Sequence, residues 1–115
     1  MRKFLLGFKY AFQGVRYAFA TQINLKFHSF AGLAVILLGW GVGLSRFEWL
    51  WISAAMGLVL VAELFNTALE VLVDLVSPGF HPKAGIIKDL ASAAVLLTAV
   101  LAFVIGLFVF LPHLL

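Results

Sequence analysis

The stretch ELFNTALEVLVD, residues 63–74, holds three carboxylates and an asparagine. It sits in a chain of 115 residues that is 64% hydrophobic and only 11% charged. Soluble domains carry about 25% charged residues. At a mean hydropathy of +1.14, folding alone would not hide this much apolar surface from water. The expectation is one integral-membrane domain over residues 1–115. Acids inside such a chain need a reason. They mark a site, an ion pathway or a buried ion pair.

Residues 27–45, between Lys26 and Arg46, carry no charge and are long enough for a first membrane helix. Residues 49–62 are also uncharged but too short alone. The helical pattern runs on through Glu63 to Val76, where SPG at 77–79 breaks it. The second span is therefore expected over 49–76. No Asp, Glu, Lys or Arg follows Asp89. A third span is expected over 85–111, with Pro112 after it. The GWGVG run at 39–43 holds two glycines four apart, a spacing that predicts close helix packing.

The N-terminal region has a different pattern. At about 100° per residue, Arg2, Lys9, Gln13 and Arg16 share one face and Phe4, Phe8, Phe12, Val15 and Phe19 another. A narrower face holds Lys3, Gly7, Tyr10, Gly14 and Thr21. Residues 1–25 are expected to form an amphipathic helix lying in the membrane interface. An apolar helix packed on the bundle, with no ligand, is the alternative. The fold class is then all-α integral membrane: an N-terminal interfacial helix followed by three transmembrane helices.

The first twenty residues lack the compact apolar core and small-residue cleavage site of a signal peptide. With no cysteine, disulfide, thiolate-metal and thiol redox chemistry are excluded. Arg2, Lys3, Lys9, Arg16 and Lys26 precede the first span with no acid among them. That places the N-terminus in the cytoplasm. Three spans then put loop 77–88 in the cytoplasm and the C-terminus outside. A net charge of +3 suits anionic lipid headgroups. No nucleic-acid partner is expected.

On the second span, Glu63, Asn66, Thr67, Glu70 and Asp74 fall within an arc of about 100°, one face of one helix. A helix over 49–76 is about 40 Å long against about 30 Å of hydrocarbon. Glu70 and Asp74 then reach the cytoplasmic interface, and Glu63 lies about 10 Å inside. A carboxylate so placed suits a general base working near neutral pH. Glu70 suits a divalent cation such as Mg²⁺, which takes one or two carboxylates and completes its shell with phosphates and water.

A second polar cluster, KDLAS at 88–92, opens the third span. Lys88 and Ser92, four apart, share a face. His81 and Lys83 in the connecting loop add donors at the same level. These residue types fit a phosphate-handling site. They also fit a proton relay in a transporter, or structural pairing of the acids with Lys88. The glycine-rich loops of soluble nucleotide-binding folds are missing. No Ser-His-Asp arrangement is present, and His81 is too isolated for a zinc site. Three helices enclose a site poorly, so a homo-oligomer is expected.

ELFNTALEVLVDLVSPGFHP followed by KDLASAAVLL resembles the prokaryotic diacylglycerol kinase and undecaprenol kinase family. The specific pattern is E-x-x-N-[ST]-A-x-E-x-x-x-D, then H and KD. The resemblance extends back to FKYAFQGVRYAF at 8–19 and covers nearly the whole chain. It implies a small bacterial inner (plasma) membrane lipid kinase. Such proteins are homotrimers of three-span protomers that move the γ-phosphate of MgATP to a lipid hydroxyl at the cytoplasmic surface. By the same resemblance, Glu63 matches the general base and Glu70 a Mg²⁺ ligand. Asn66 and Asp74 match supporting polar positions. Lys88 and Asp89 match nucleotide contacts, and Gly79, Phe80 and His81 the loop bordering the nucleotide. Tyr10 and Lys3 match contacts to ATP from the interfacial helix, and Ser92 a position near the lipid headgroup.

One position departs from the pattern. The family places a second metal-binding glutamate in an E-x-N-[FLA]-[RK]-x-H context. Here QINLKFH puts Gln22 there, while Asn24, Lys26 and His28 still fit. Gln22 offers ATP and metal an amide oxygen without charge, which predicts weaker Mg²⁺ binding. The VDLVSPGFHP loop is more similar to the undecaprenol kinase branch. Undecaprenol is therefore the expected acceptor, with diacylglycerol the alternative. An inactive membrane binding or assembly module of the same fold is the second alternative.

Overall fold

A computed structural model describes residues 1–115 as four helices, α1 (Arg2–Thr21), α2 (Ile23–Val42), α3 (Arg46–Val76) and α4 (Pro82–Leu114). By length and composition α2, α3 and α4 can each cross a membrane. The protein is a multi-pass membrane protein built on that frame.

The helix ends follow local chemistry. Gln22 alone separates α1 from α2, in extended conformation (φ −113°, ψ 111°). Its N–H donates to Ala18 O at 2.8 Å and closes α1. Residues 23–25, expected in the N-terminal helix, therefore belong to α2. The first span was expected over 27–45, and α2 starts earlier because the charge on Lys26 does not interrupt a helix. It ends earlier because Gly43 is left-handed (φ 74°, ψ 57°). There the N–H groups of Gly43 and Leu44 both reach Gly39 O, at 3.0 and 3.1 Å. So Gly43 is a helix stop and only Gly39 makes the close packing expected of the pair.

Helix α3 opens with a reciprocal cap. Glu48 N–H donates to Ser45 Oγ at 3.2 Å, and Ser45 N–H donates to Glu48 Oε1 at 2.9 Å. It stops at Ser77, ahead of Pro78, which has no N–H and disfavours helix in the residue before it. His81 caps α4 through Nδ1, which accepts from Lys83 N–H at 3.1 Å. Pro82, with its fixed φ, suits the first helical position. The third span thus begins before the expected residue 85. It also runs past Pro112, because a proline in the last turn removes one terminal bond and breaks nothing beyond it.

The 31 residues of α3 extend about 46 Å and the 33 of α4 about 50 Å at 1.5 Å per residue. They form an antiparallel hairpin with a polar side-chain contact at each end. His113 Nε2 meets Glu48 Oε2 at 2.8 Å, and Lys88 Nζ meets Asp74 Oδ1 at 2.7 Å. Near the Glu48 end, Leu44, Ile52, Val109 and Phe110 form the apolar core, flanked by Val35, Trp49, Met56 and Ile105. The molecule is flat, 52 × 42 × 20 Å. Only 15 of its 115 residues are buried, so most large apolar side chains face outward, as contact with lipid requires.

A Cβ on Gly39 would lie 2.7 Å from the Trp49 ring and 2.9 Å from Leu44 Cδ1, whereas one on Gly41 meets nothing within 4 Å. Gly39→Ala should therefore destabilise the fold by about 1–3 kcal/mol. Gly41→Ala should be neutral or stabilising by up to about 1 kcal/mol. Thermal unfolding of both variants in detergent, followed by tryptophan fluorescence, checks the contrast.

Candidate active site

One face of α3 carries the polar groups, and their burial changes along it. Glu63 is 0% exposed. Asn66 and Thr67, a turn further on, are buried, Glu70 is half-buried, and Asp74 is exposed. The helix thus carries a graded row of polar side chains from the protein interior to its own C-terminal end.

At the buried end the hydrogen-bond inventory is incomplete. Thr67 Oγ1 donates to Glu63 O at 2.9 Å, which satisfies the hydroxyl. Glu63 Oε1 and Oε2 and Asn66 Oδ1 are buried with no hydrogen-bond partner. His28, from α2, brings Nε2 to 3.3 Å from Glu63 Oε1. That approach is a close electrostatic contact without the geometry of a directed bond. Leaving such polar atoms unpaired costs about 1–3 kcal/mol each. Folded proteins keep few of them, and they gather where a ligand or a reaction needs them.

At the open end Asp74 is held by Lys88. Glu70 makes no hydrogen bond or ion pair of its own. A half-buried carboxylate without a partner is free to take a cation. No three acidic or histidine side chains gather to hold a metal unaided. That donor set fits a Mg²⁺ ion whose shell is completed by the phosphates it accompanies.

The other residues singled out from the sequence are dispersed. Gln22 is half-buried at the α1–α2 break. Gly79 and Phe80 are exposed in the α3–α4 loop, and His81 is exposed at the cap of α4. Asp89 and Ser92 are exposed on the first turns of α4. Lys3 and Tyr10 are exposed on α1, without a hydrogen bond or ion pair to the Glu63 group. The chain therefore brings His28 to Glu63 and Lys88 to Asp74, and no hydrogen bond or ion pair joins Lys3, Tyr10 or residues 79–81 to either pair. A groove of about 450 Å³ runs between α1 and α3 beside the Glu63 turn, lined in part by Gly14, Tyr17, Leu64, Thr67 and Val71.

The His28–Glu63 contact is the feature that sequence reasoning missed. His28 fitted a motif, but no spacing rule joins residues on α2 and α3. The Glu48–His113 pair was missed too, although S-x-x-E at 45–48 is a legible capping signature.

Comparison with known proteins places this arrangement. The family model described as "Prokaryotic diacylglycerol kinase" matches residues 9–110. A "Diacylglycerol kinase" of Synechocystis sp. is 45% identical over 112 residues, 96% of this chain and 64% of that protein. This chain thus spans less than two thirds of that relative's length. An "Undecaprenol kinase" of Bacillus subtilis is 40% identical over 114 residues, 99% of this chain and 93% of that protein. A "Diacylglycerol kinase" of Escherichia coli is 26% identical over 93 residues, 81% of this chain and 76% of that protein. The chain belongs to the prokaryotic diacylglycerol kinase family.

The unpartnered Glu63 oxygens carry a stability prediction. Glu63→Gln removes a buried charge without changing volume and should stabilise the fold by about 1 kcal/mol or more. A thermal melt of the two proteins in detergent measures it. A lower melting temperature for the variant would mean that the His28 contact outweighs the cost of burying the charge.

Proposed function

We propose that this member of the prokaryotic diacylglycerol kinase family is a lipid kinase. It transfers the γ-phosphate of ATP to a lipid hydroxyl at the cytoplasmic face of the bacterial inner membrane. The observation that carries the reading is Glu63, wholly buried with both carboxylate oxygens unpartnered, on the helix face that continues to Glu70 and Asp74. Phosphoryl transfer asks chiefly for positioning and charge neutralisation, so a sparse polar site is chemically sufficient.

In this account the lipid hydroxyl enters beside Glu63 and donates its hydrogen bond to the empty carboxylate. Glu63 takes the proton as the hydroxyl oxygen attacks the γ-phosphorus. The bond from that phosphorus to the bridging oxygen breaks, and ADP leaves with the electron pair. Asn66 Oδ1, also unpartnered, accepts from a donor on the bound substrate, and Ser92 stands near the headgroup. Lys88 turns from Asp74 to the phosphates, and Asp74 orients it between turnovers. Asp89, Gly79, Phe80 and His81 border the nucleotide, and Tyr10 and Lys3 close over it from α1. Glu70 and Gln22 would hold Mg²⁺, which when bound neutralises phosphate charge.

Assembly as a homotrimer suits a chain that buries only 15 of 115 residues by itself. Neighbouring copies would then cover the open sides of each site. The N-terminus is cytoplasmic in this reading and the C-terminus outside.

Undecaprenol is the proposed acceptor. The VDLVSPGFHP loop supports it, as does the Bacillus subtilis relative, which matches this chain over 93% of its own length. Diacylglycerol is the second reading, favoured by the name of the Synechocystis relative at 45% identity.

The test offers ³²P-labelled ATP, Mg²⁺ and the two lipids in parallel to the purified protein. Label in undecaprenol alone supports the first reading, and label in diacylglycerol alone the second. Folded protein that labels neither overturns the kinase assignment. Gln22→Glu restores a charge at the second metal position and should lower the Mg²⁺ concentration for half-maximal rate by about 10-fold. A Mg²⁺ titration of the rate measures it.

A further inference from the structure

A general base must be emptied after each turnover. For every hydroxyl phosphorylated, one proton leaves the acceptor oxygen, and Glu63 is where the proposed reaction puts it. Yet Glu63 is 0% exposed and neither of its oxygens hydrogen-bonds to any other group of the chain. The carboxylate has no contact with water through which the proton can leave.

One titratable group touches it. His28 Nε2 stands 3.3 Å from Glu63 Oε1, and the imidazole keeps 21% of its side chain at the surface. His28 lies six residues into α2 from the Gln22 break, about 9 Å along the axis. The ring packs against Glu63 and is not fully enclosed by the chain. Histidine is also the side chain best suited to gain and lose a proton near neutral pH.

Resting on the lipid-kinase reading, we infer that His28 is a positioning and proton-relay residue that carries the substrate's proton from Glu63 to water. The neutral ring holds its proton on Nδ1 and turns the Nε2 lone pair to Glu63. When the lipid O–H breaks and the O–P bond forms, the proton bonds to a Glu63 oxygen. That O–H then breaks, and the proton passes to Nε2. The Nδ1 proton leaves to water, Glu63 is again a carboxylate, and exchange with water resets the ring. No oxidant, reductant or further reactant is needed.

No other ionisable side chain pairs with Glu63. The His28 contact is the one salt-bridge-range approach to Glu63, and Glu70 lies two turns along α3 itself. On α1, Tyr17 lines the groove toward α3, and neither it nor Arg16 is hydrogen-bonded or ion-paired to Glu63. Along α4, no Asp, Glu, Lys or Arg follows Asp89, and His113 is at the far end with Glu48. On α2, Lys26 is exposed and has no ion pair with Glu63.

The test compares wild type, His28→Ala, His28→Gln and Glu63→Gln, full-length in detergent–lipid micelles, on whichever lipid the wild type phosphorylates. Both His28 variants should lose about 10-fold or more in kcat, with KM for ATP unchanged and with an altered pH profile. Imidazole added to the medium should restore turnover of His28→Ala and leave Glu63→Gln inactive. Independently of activity, the ¹⁵N chemical shifts of the His28 ring, which report which nitrogen carries the proton, should differ between wild type and Glu63→Gln.

Wild-type turnover and pH profile in the His28 variants would overturn the relay while leaving the kinase reading intact. So would a loss of activity that imidazole does not repair, together with His28 ring shifts that ignore Glu63→Gln. A wild type that phosphorylates neither lipid would remove the kinase reading and the relay with it.

Discussion

A carboxylate shut away from water with no hydrogen bond is unstable wherever it is placed, and the architecture is arranged around holding one. Glu63 sits midway along α3, its oxygens unpaired. A flexible scaffold would relieve it by rotating the helix or letting water in. The α3–α4 hairpin resists both. The Lys88–Asp74 ion pair closes one end and the His113–Glu48 contact the other, and the start of α3 is fixed by the Ser45–Glu48 box. The apolar core lies toward the Glu48 end, away from the exposed acid at Asp74, so the row of polar side chains runs from packed interior to open surface. The strain of the buried acid is thus supported by packing elsewhere, a common arrangement at reaction sites.

The same constraint explains the division of labour among the helices. The hairpin supplies Glu63 and, at the level of Asp74, Lys88. Helix α2 supplies one polar contact to Glu63, His28, and otherwise packs through Gly39 against Trp49. Helix α1 touches α3 near Ala18, its single buried residue, and its basic and aromatic side chains remain outward. One extended residue, Gln22, joins it to α2. A change at Gln22 would therefore alter the angle of α1 as well as any ligand it holds.

Much of this was legible in the residues. The uncharged run at 27–45, the break at Ser77–Pro78–Gly79 and the absence of charge after Asp89 were enough to set out three spanning helices. The single polar face of α3 followed from spacing alone, whereas the burial of Glu63 within the protein did not. Helix ends were less legible because they turn on single backbone conformations. Gly43 read as a packing glycine and is a left-handed stop. Pro112 read as a terminus and lies in a last turn that tolerates it. Contacts between helices were not legible at all. The approach of His28 to Glu63 depends on how α2 crosses α3, which no periodicity within either segment encodes.

The central claim is that Glu63 acts in the chemical step and not in holding nucleotide or fold. Single-turnover phosphate transfer from saturating MgATP to bound lipid, in wild type and Glu63→Gln, tests it most directly. The account predicts that the variant stays folded and binds nucleotide with unchanged affinity, while transfer falls by about 100-fold or more. Transfer at the wild-type rate in Glu63→Gln would contradict it.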